Sequence, residues 1–261
     1  MRAIVLAALI ALCLGASARA ADLAGIPPDV PLAPVEKKWD VRIQPYLWAA
    51  ALSGTSKPFA LLPPVDVDMR FKDILEDLKF AGMVAGSAHY GRFGVAGDVQ
   101  YVALKSNAET PGPAFSGANV KSDSFIGTLL ADYRVIDTPR ATVYASVGAR
   151  LYWASTEVTL TPGLLPGRSA TGDDVWADPM LALRGTFNIT DKVFVNGWGM
   201  VGGFGVGSDI AADLFAGAGY RFTDNVAANL GYRYLRVDRD TSDFVYDVEQ
   251  HGVMAGLVIS F

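Results

Sequence analysis

The chain has 261 residues, of which 51% are hydrophobic and 19% are charged, and its formal net charge is −5. This mild acidity, with no basic block, argues against nucleic acid as a partner. The one cysteine, Cys13, lies in a stretch that we expect to be removed, which excludes disulfides, thiolate metal sites and a cysteine nucleophile from the mature protein.

The N-terminus has the layout of a secretory signal peptide. Arg2 gives a basic start, the apolar stretch Ala3–Leu14 is too short to cross a bilayer comfortably, and Ala18-Arg19-Ala20 offers small residues before a cleavage point. The alternative is a membrane-anchoring helix. The sequence therefore predicts three parts: a signal peptide (1–20), a proline-rich periplasmic leader (21–38) and one folded domain (39–261).

The hydrophobic residues of the folded domain are spread along it. Mean hydropathy is positive, yet no uninterrupted apolar run approaches the roughly 20 residues that a transmembrane helix needs. In lipid, every backbone polar group must be paired internally, so only helices and closed barrels can span a membrane. A β-barrel is the remaining membrane fold.

From Trp39 onward the hydrophobic pattern has a period of two, which is typical of strands with one face toward lipid and one toward a lumen. Pro45 costs one hydrogen bond of the ladder, which predicts a bulge or bend there. The alternation recurs along the chain and is weaker over 80–90 and 193–204, which are rich in Gly and Ala. In the first segment it places apolar residues at every second position: Trp39, Val41, Ile43, Pro45 and Leu47.

The connections between these segments alternate in length. Short turns are predicted at 91–92, 136–139, 190–192 and 223–225. Longer loops are predicted at 54–79, 108–121, 159–172 and 241–244. Short turns at one end and long loops at the other match the periplasmic and extracellular ends of outer-membrane barrels. The sequence thus predicts an all-β, closed antiparallel up-and-down transmembrane β-barrel of ten strands, with eight as the alternative.

Aromatic residues and the C-terminus favour this barrel over a soluble barrel or sandwich, which would also show alternation. The final strand alternates through Leu257, Ile259 and the terminal Phe261, a pattern similar to the insertion signal of bacterial outer-membrane barrels. We therefore expect the barrel-insertion machinery, outer-membrane lipid and lipopolysaccharide as partners. Aromatic residues that border the predicted short turns, as an interfacial girdle would, are Tyr90, Phe93, Tyr133, Phe187, Tyr220 and Phe222.

Five further stretches have a characteristic sequence: Pro45–Trp48, Val67–Leu78, Tyr133–Arg140, Val201–Asp209 and Gly231–Leu235. Through them, nearly the whole of 39–261 resembles a family of small proteobacterial outer-membrane β-barrel proteins of unassigned function. The resemblance implies a barrel in the outer membrane of a Gram-negative cell. It brings no established catalytic residues and no cofactor.

Ten charged residues are predicted to face the lumen with nearly balanced signs. Isolated buried ions are very costly, so such charges must pair or be hydrated. One interpretation is a structural ion-pair network that fills a closed interior, and the other is a narrow charged pore or ligand cavity. We favour the network, because barrels near eight strands are just wide enough for side chains to fill them. The residues are Arg42, Asp98, Asp132, Arg134, Arg150, Asp178, Arg184, Asp213, Arg221 and Arg233.

The first long loop contains apolar residues at helical spacing, namely Phe71, Ile74, Leu75 and Leu78. The spacing predicts a short amphipathic helix over the extracellular mouth. Such a helix either forms a lid or packs on the rim, and we favour the rim.

The sequence contains no metal-ligand spacing and implies no cofactor. Ser87 and His89, on one face of a weak strand, are the only basis for a lipid-modifying enzyme, since catalysis would need a third orienting group. We therefore predict no catalytic residues and a non-enzymatic outer-membrane protein, either structural or a narrow passage for small solutes. The alternatives are a surface-binding adhesin or receptor that acts through its extracellular loops, and the lipid-modifying enzyme.

Overall fold

A computed structural model describes residues 39–57, 64–108, 113–242 and 244–261. The signal peptide and the leader predicted for residues 1–38 lie outside the described residues. The described residues form eleven strands and one helix, in this order: β1 (Trp39–Lys57), β2 (Val65–Met69), α1 (Phe71–Asp77), β3 (Leu78–Tyr90), β4 (Phe93–Ala108), β5 (Phe115–Asp137), β6 (Ala141–Pro162), β7 (Arg168–Asn188), β8 (Val193–Gly203), β9 (Ile210–Arg221), β10 (Val226–Asp240) and β11 (Val245–Ser260).

Ten of these strands form one closed antiparallel barrel. Each strand pairs with its neighbour in the chain, and β1 closes the barrel by pairing with β11. The remaining strand, β2, is short. Among the described residues it pairs with the outer half of β1, from Leu52–Met69 to Ser56–Val65. The predicted ten-stranded barrel is therefore confirmed, and the eight-stranded alternative is wrong.

The predicted short turns lie together at one end of the barrel, together with the start of β1 and the end of β11. At the other end the predicted loops are too long, because much of their sequence is strand. Residues 115–121 of β5 pair with β6, and residues 168–172 of β7 do the same from the other side. These segments mix small, polar and apolar residues, so they lack the regular alternation that marks a strand in sequence.

The bulge predicted at Pro45 is absent. The register between β1 and β11 is the same on both sides of it, with Ile43 opposite Ile259 and Tyr46 opposite Gly256. The missing N–H of proline removes a hydrogen bond without adding a residue to the strand, so the spacing of the following pairs is kept.

The outer surface of the barrel is apolar and is bordered by aromatic rings at the short-turn end. Trp39 lies 5.4 Å from Tyr90 and Phe93 lies 5.2 Å from Tyr133, measured between ring centroids. Each of these residues is exposed. The arrangement confirms the predicted girdle, whose rings prefer the boundary between lipid and water. Among the described residues, no helix is long and apolar enough to span a membrane.

The helix α1 confirms the prediction made for the first long loop. Arg70 precedes it and pairs with Asp73, with 3.1 Å between Nε and Oδ2. The backbone N–H of Arg70 also donates to Asp73 Oδ2 at 3.1 Å. The hydrogen bond from the Arg70 side chain lowers the pKa of the Asp73 carboxyl from its usual value. An ionised Asp73 in the first turn suits the positive end of the helix dipole.

The C-terminal residues predicted to act in insertion end the last strand. Leu257 and Ile259 lie in β11, and the N–H of Phe261 donates to the carbonyl of Val41 at 2.9 Å. Leu257 and Phe261 are exposed on the barrel surface. Their role as an insertion signal remains a prediction.

Candidate functional site

Within the described part of the barrel, an inner and an outer cavity share no lining residue. The inner cavity, on the short-turn side, has a volume of about 360 Å³ and includes Arg184, Arg221 and His89 in its lining. The outer cavity has a volume of about 670 Å³ and is lined mostly by apolar side chains. A layer of side chains lies between them, four of them buried and Asp98 half-buried, and its Asp98, Arg150 and Arg233 also line the inner cavity. We call it the central layer: Tyr46, Asp98, Arg150, Asp213 and Arg233.

The central layer is built around one carboxylate that accepts from two arginines. Arg233 donates from Nε to Asp213 Oδ1 at 3.1 Å and from Nη2 to Oδ2 at 2.7 Å. Arg150 donates from Nη2 to the same Oδ2 at 2.7 Å and from Nε to Thr128 Oγ1 at 2.7 Å. Arg150 and Asp213 are 0% exposed and Arg233 is 1% exposed. The three side chains are therefore sealed from solvent at mid-barrel.

A second carboxylate, Asp98, balances the charge of the central layer. Tyr46 donates to Asp98 Oδ2 at 2.7 Å and accepts a hydrogen bond from Arg233 Nη1 at 3.2 Å. Arg233 Nη2 lies 3.7 Å from Asp98 Oδ1. Two arginines thus face two aspartates, which is the condition under which buried ions are tolerated.

Aromatic rings hold Arg233 in place. Its guanidinium lies 4.8 Å from the ring centre of Trp48 and 5.4 Å from that of Trp198, within cation–π distance. Trp198 also donates from Nε1 to Asp213 Oδ1 at 2.8 Å. Inside the barrel the guanidinium therefore has carboxylate partners for its N–H groups and aromatic rings near its charge.

A second buried cluster surrounds Asp132 on the short-turn side of the central layer. Asp132 accepts from Ser146 Oγ at 2.6 Å, lies 2.8 Å from His89 Nε2, and pairs with Arg184. The His89 ring stacks on Tyr144 with 4.4 Å between centroids. These contacts restrain His89, which is 3% exposed.

The remaining predicted lumen residues have their charge partners outside these two clusters, although the guanidinium of Arg134 lies over the Tyr144 ring, 5.5 Å from its centre. Asp178 is buried and accepts the backbone N–H of Ser208 at 2.6 Å, which holds the loop between β8 and β9 against the barrel. The other three are at the short-turn end: Arg42 pairs with Asp40 at 2.8 Å, Arg134 with Asp137 at 3.1 Å, and Arg221 donates to Asn188 at 2.7 Å. The ten residues therefore divide into two buried clusters, a loop anchor and a rim.

The described contacts give little support to hydrolytic chemistry. In the described part of the chain, Ser87 makes no hydrogen bond to His89, whose Nε2 is bound to Asp132. The same ranges contain no group of three or more His, Cys, Asp or Glu side chains positioned to hold a metal ion.

The outer cavity is lined by aromatic and aliphatic side chains. Trp48, Phe244 and Tyr246 contribute to the lining, and the ring of buried Trp176 lies 5.6 Å from that of Tyr246. Among the described residues that line the cavity, Asp77 and Asp123 are the charged ones. Aliphatic and sulfur-containing side chains of the walls and of the helix above include Val102, Leu104, Val120, Val158, Met69, Ile74 and Leu75.

Sequence reasoning missed this cavity. Each of its residues has the ordinary alternation of a barrel strand, and inward apolar positions look like core packing when read one strand at a time. A signal was nonetheless present, because the outer halves of several strands have apolar residues on the lumen side, such as Val102, Val120 and Val158.

Comparison with known proteins gives a fold and leaves the family open. No protein-family model matches the chain, and no curated protein matches its sequence. The structure is similar to the outer membrane protease OmpT from Escherichia coli, with 9% identity, a TM-score of 0.52, and coverage of 87% of this chain and 98% of that one. The chain therefore has the fold of outer-membrane β-barrel proteins.

Two more structural neighbours have lower TM-scores. Neisserial surface protein A (NspA) has 16% identity and a TM-score of 0.32, with coverage of 85% of this chain and 97% of that one. The translocator domain of autotransporter NalP from Neisseria meningitidis has 11% identity and a TM-score of 0.43, with coverage of 100% and 98%.

Proposed function

We propose that the chain is a non-enzymatic outer-membrane protein that binds small apolar molecules in the outer half of its barrel. The outer cavity carries this proposal. Its volume of about 670 Å³ lies within the range of about 300–1,000 Å³ typical of small-molecule sites. Its apolar lining favours a ligand without charge, since a charged group would lose its hydration there without gaining a partner.

The central layer supports binding rather than free passage. Asp213, Arg150 and Arg233 are sealed between the two cavities, so a hydrophilic solute that enters from outside meets a closed layer. Of the two roles inferred from sequence, structural or narrow passage, a water-filled passage is therefore the less supported. The buried ion pairs act as a partition across the lumen.

The other two classes have weaker support. A lipid-modifying enzyme would rest on Ser87 and His89, but His89 is buried and bound to Asp132. A surface-binding role would rest on long loops, yet residues 115–121 and 168–172 belong to paired strands.

The test is a binding titration with the apolar dye N-phenyl-1-naphthylamine. The full chain is expressed, purified from the membrane fraction and placed in lipid nanodiscs, with empty nanodiscs as the blank. Ala154→Phe fills the cavity wall from β6, and Ala149→Phe, on the outer face of the same strand, is the matched control. Heat-modifiable gel mobility checks that each variant is folded.

We expect saturable dye binding that Ala154→Phe weakens about tenfold or more and Ala149→Phe changes by less than about twofold. Equal binding by both variants would contradict the proposal. So would binding that does not exceed that of empty nanodiscs.

A further inference from the structure

The barrel wall is interrupted beside the outer cavity, between β1 and β3. The two strands pair from Trp39–Tyr90 to Pro45–Val84 and no further. The next partner of β1 on this side belongs to β2, where Met69 lies opposite Leu52. In the described structure, residues 46–51 of β1 and 78–83 of β3 have no strand partner across this gap. On their other edges they are paired, with β11 and β4 respectively.

The gap lies at the level of the outer leaflet. A membrane-crossing strand needs about ten residues, and counting from the aromatic girdle at Trp39 and Tyr90 brings both strands to the outer boundary near Trp48 and Ala81. At this level the exposed ring of Phe80 lies 6.1 Å from that of Tyr101, as expected for an outer aromatic border. The unpaired stretches therefore face hydrocarbon and the inner edge of the headgroups.

An unpaired strand edge at this depth is costly, because lipid offers backbone N–H and C=O groups no partner. The described structure shows no backbone hydrogen bond from loops or turns to residues 46–51. On another side of the barrel, residues 168–179 of β7 likewise extend beyond their pairing with β8. Of these residues only Gly172 is among the described residues that line the outer cavity. The β1–β3 gap differs because both of its edges border that cavity.

Small side chains border part of each edge of the gap, and the cavity lies behind it. Ala49, Ala50 and Ala51 follow one another in β1, and Ala81 and Gly82 stand on β3. Residues from both edges also line the cavity: Trp48, Ala50 and Leu52 from β1, and Ala81 and Met83 from β3. The gap therefore opens onto the cavity, and its narrowest side chains are the alanines of β1 and Ala81 and Gly82 of β3.

We infer that this gap is a lateral entrance through which an apolar molecule, an alkyl chain or an aromatic ring, passes from the outer leaflet into the cavity. The inference rests on the proposed function and adds the direction of entry. Helix α1, which joins β2 to β3, covers the top of the route with Phe71, Ile74 and Leu75 in the cavity lining. The ligand thus stays in apolar surroundings throughout its path.

The test is to close the gap with a covalent bridge and to measure entry. By continuation of the β1–β3 register, Ala49 and Phe80 stand opposite each other on the outer face, so Ala49→Cys with Phe80→Cys accepts a short bismaleimide without filling the cavity. The control pair is Ala131→Cys with Val147→Cys, which are direct partners in the β5–β6 ladder. Both pairs are made in a Cys13→Ala background.

Transfer from labelled vesicles to protein in nanodiscs is followed by stopped flow before and after bridging. One arm uses N-phenyl-1-naphthylamine and the other uses a phospholipid with a pyrene-labelled acyl chain, which separates a free small molecule from a lipid chain as the source. If gel mobility shows that the first cysteine pair does not fold, a second pair, Leu47→Cys with Gly82→Cys, replaces it.

We expect the bridge across the gap to slow transfer of at least one probe about tenfold or more, while its affinity at equilibrium changes by less than about twofold and the control bridge has no effect. Normal affinity with an unchanged transfer rate for both probes would overturn the lateral entrance and leave the proposed function standing. Absence of binding before any bridging would overturn both.

Discussion

Arg233 donates two parallel hydrogen bonds to Asp213, from Nε to Oδ1 at 3.1 Å and from Nη2 to Oδ2 at 2.7 Å. Both side chains are buried. Bidentate arginine–carboxylate pairs are among the strongest side-chain contacts, and their geometry is specific. Because Arg150 binds the same carboxylate, the central layer depends on this one aspartate.

Asp213→Asn should therefore destabilise the barrel strongly. The change leaves Arg150 and Arg233 buried with too little negative charge, and breaking a buried pair by removing one partner typically costs about 3–5 kcal/mol. Asp137→Asn, which removes the partner of Arg134 at the rim, should cost about 1 kcal/mol or less. Urea unfolding in lipid vesicles, followed by tryptophan fluorescence, measures both. A similar loss of unfolding free energy in the two variants would show that the central layer contributes no more to stability than a rim ion pair does.

The central layer should also keep the protein electrically silent. We expect the wild type to show no steady conductance steps in planar bilayers. Arg150→Ala with Asp213→Ala removes opposite charges together and leaves Arg233 beside Asp98, so it should open a path between the two cavities. Arg134→Ala with Asp137→Ala is the rim control and should remain silent. Steady steps from the folded wild type would mean that the layer does not close the lumen.

Helix α1 should contribute to ligand affinity more than to stability. Ile74→Ser with Leu75→Ser removes apolar surface from the cavity lining, and each buried methylene contributes about 0.8 kcal/mol, so dye affinity should fall about tenfold or more. Lys72→Ser with Glu76→Ser changes the exposed face of the same helix and should leave affinity unchanged. Dye titration and urea unfolding separate the two effects. A loss of stability as large as the loss of binding would point to a structural helix instead.

Gly252 should be required for closure between β1 and β11. A Cβ at this position would lie 1.9 Å from the carbonyl oxygen of Ala49 in the paired strand, so Gly252→Ala must push the strands apart. Gly91, in the turn between β3 and β4, has a φ of 62° and open space around it. Gly91→Ala should cost only the left-handed strain of about 1–2 kcal/mol. The yield of heat-modifiable protein distinguishes them, and equal yields would contradict the close approach.

His89→Ala should leave the lipid A profile of the cells unaltered. Its Nε2 is bound to Asp132 and its ring is stacked on Tyr144, which indicates a structural role, so the variant should instead unfold at lower urea concentration. Mass spectrometry of extracted lipid A provides the readout. A lipid modification that is present with the wild type and lost with His89→Ala would revive the enzyme hypothesis.

Most of the barrel could be predicted from the sequence because strand orientation is a local property. Successive side chains point to opposite faces, so residues 39–48 alone establish an apolar outer face and a lumen face. The same logic predicted the girdle residues Tyr90 and Phe93 and the helical spacing of Phe71 and Ile74. It failed beyond the apolar band, where residues 115–121 carry no alternation and were predicted as loop although they are paired.

Only the tertiary structure decided which lumen charges meet and where the wall is open. Arg150 and Asp213 lie in β6 and β9, and Tyr46 and Arg233 meet only because β1 closes on β11. Alternation assigns a face to a residue but not a height or a neighbour, which depend on the register of every strand around the barrel. The sequence by itself determined a closed barrel with an apolar outer face and charged lumen positions. The register of distant strands decided that the charges meet in one layer, that apolar lumen positions line a cavity, and that the β1–β3 edge has a gap in its pairing.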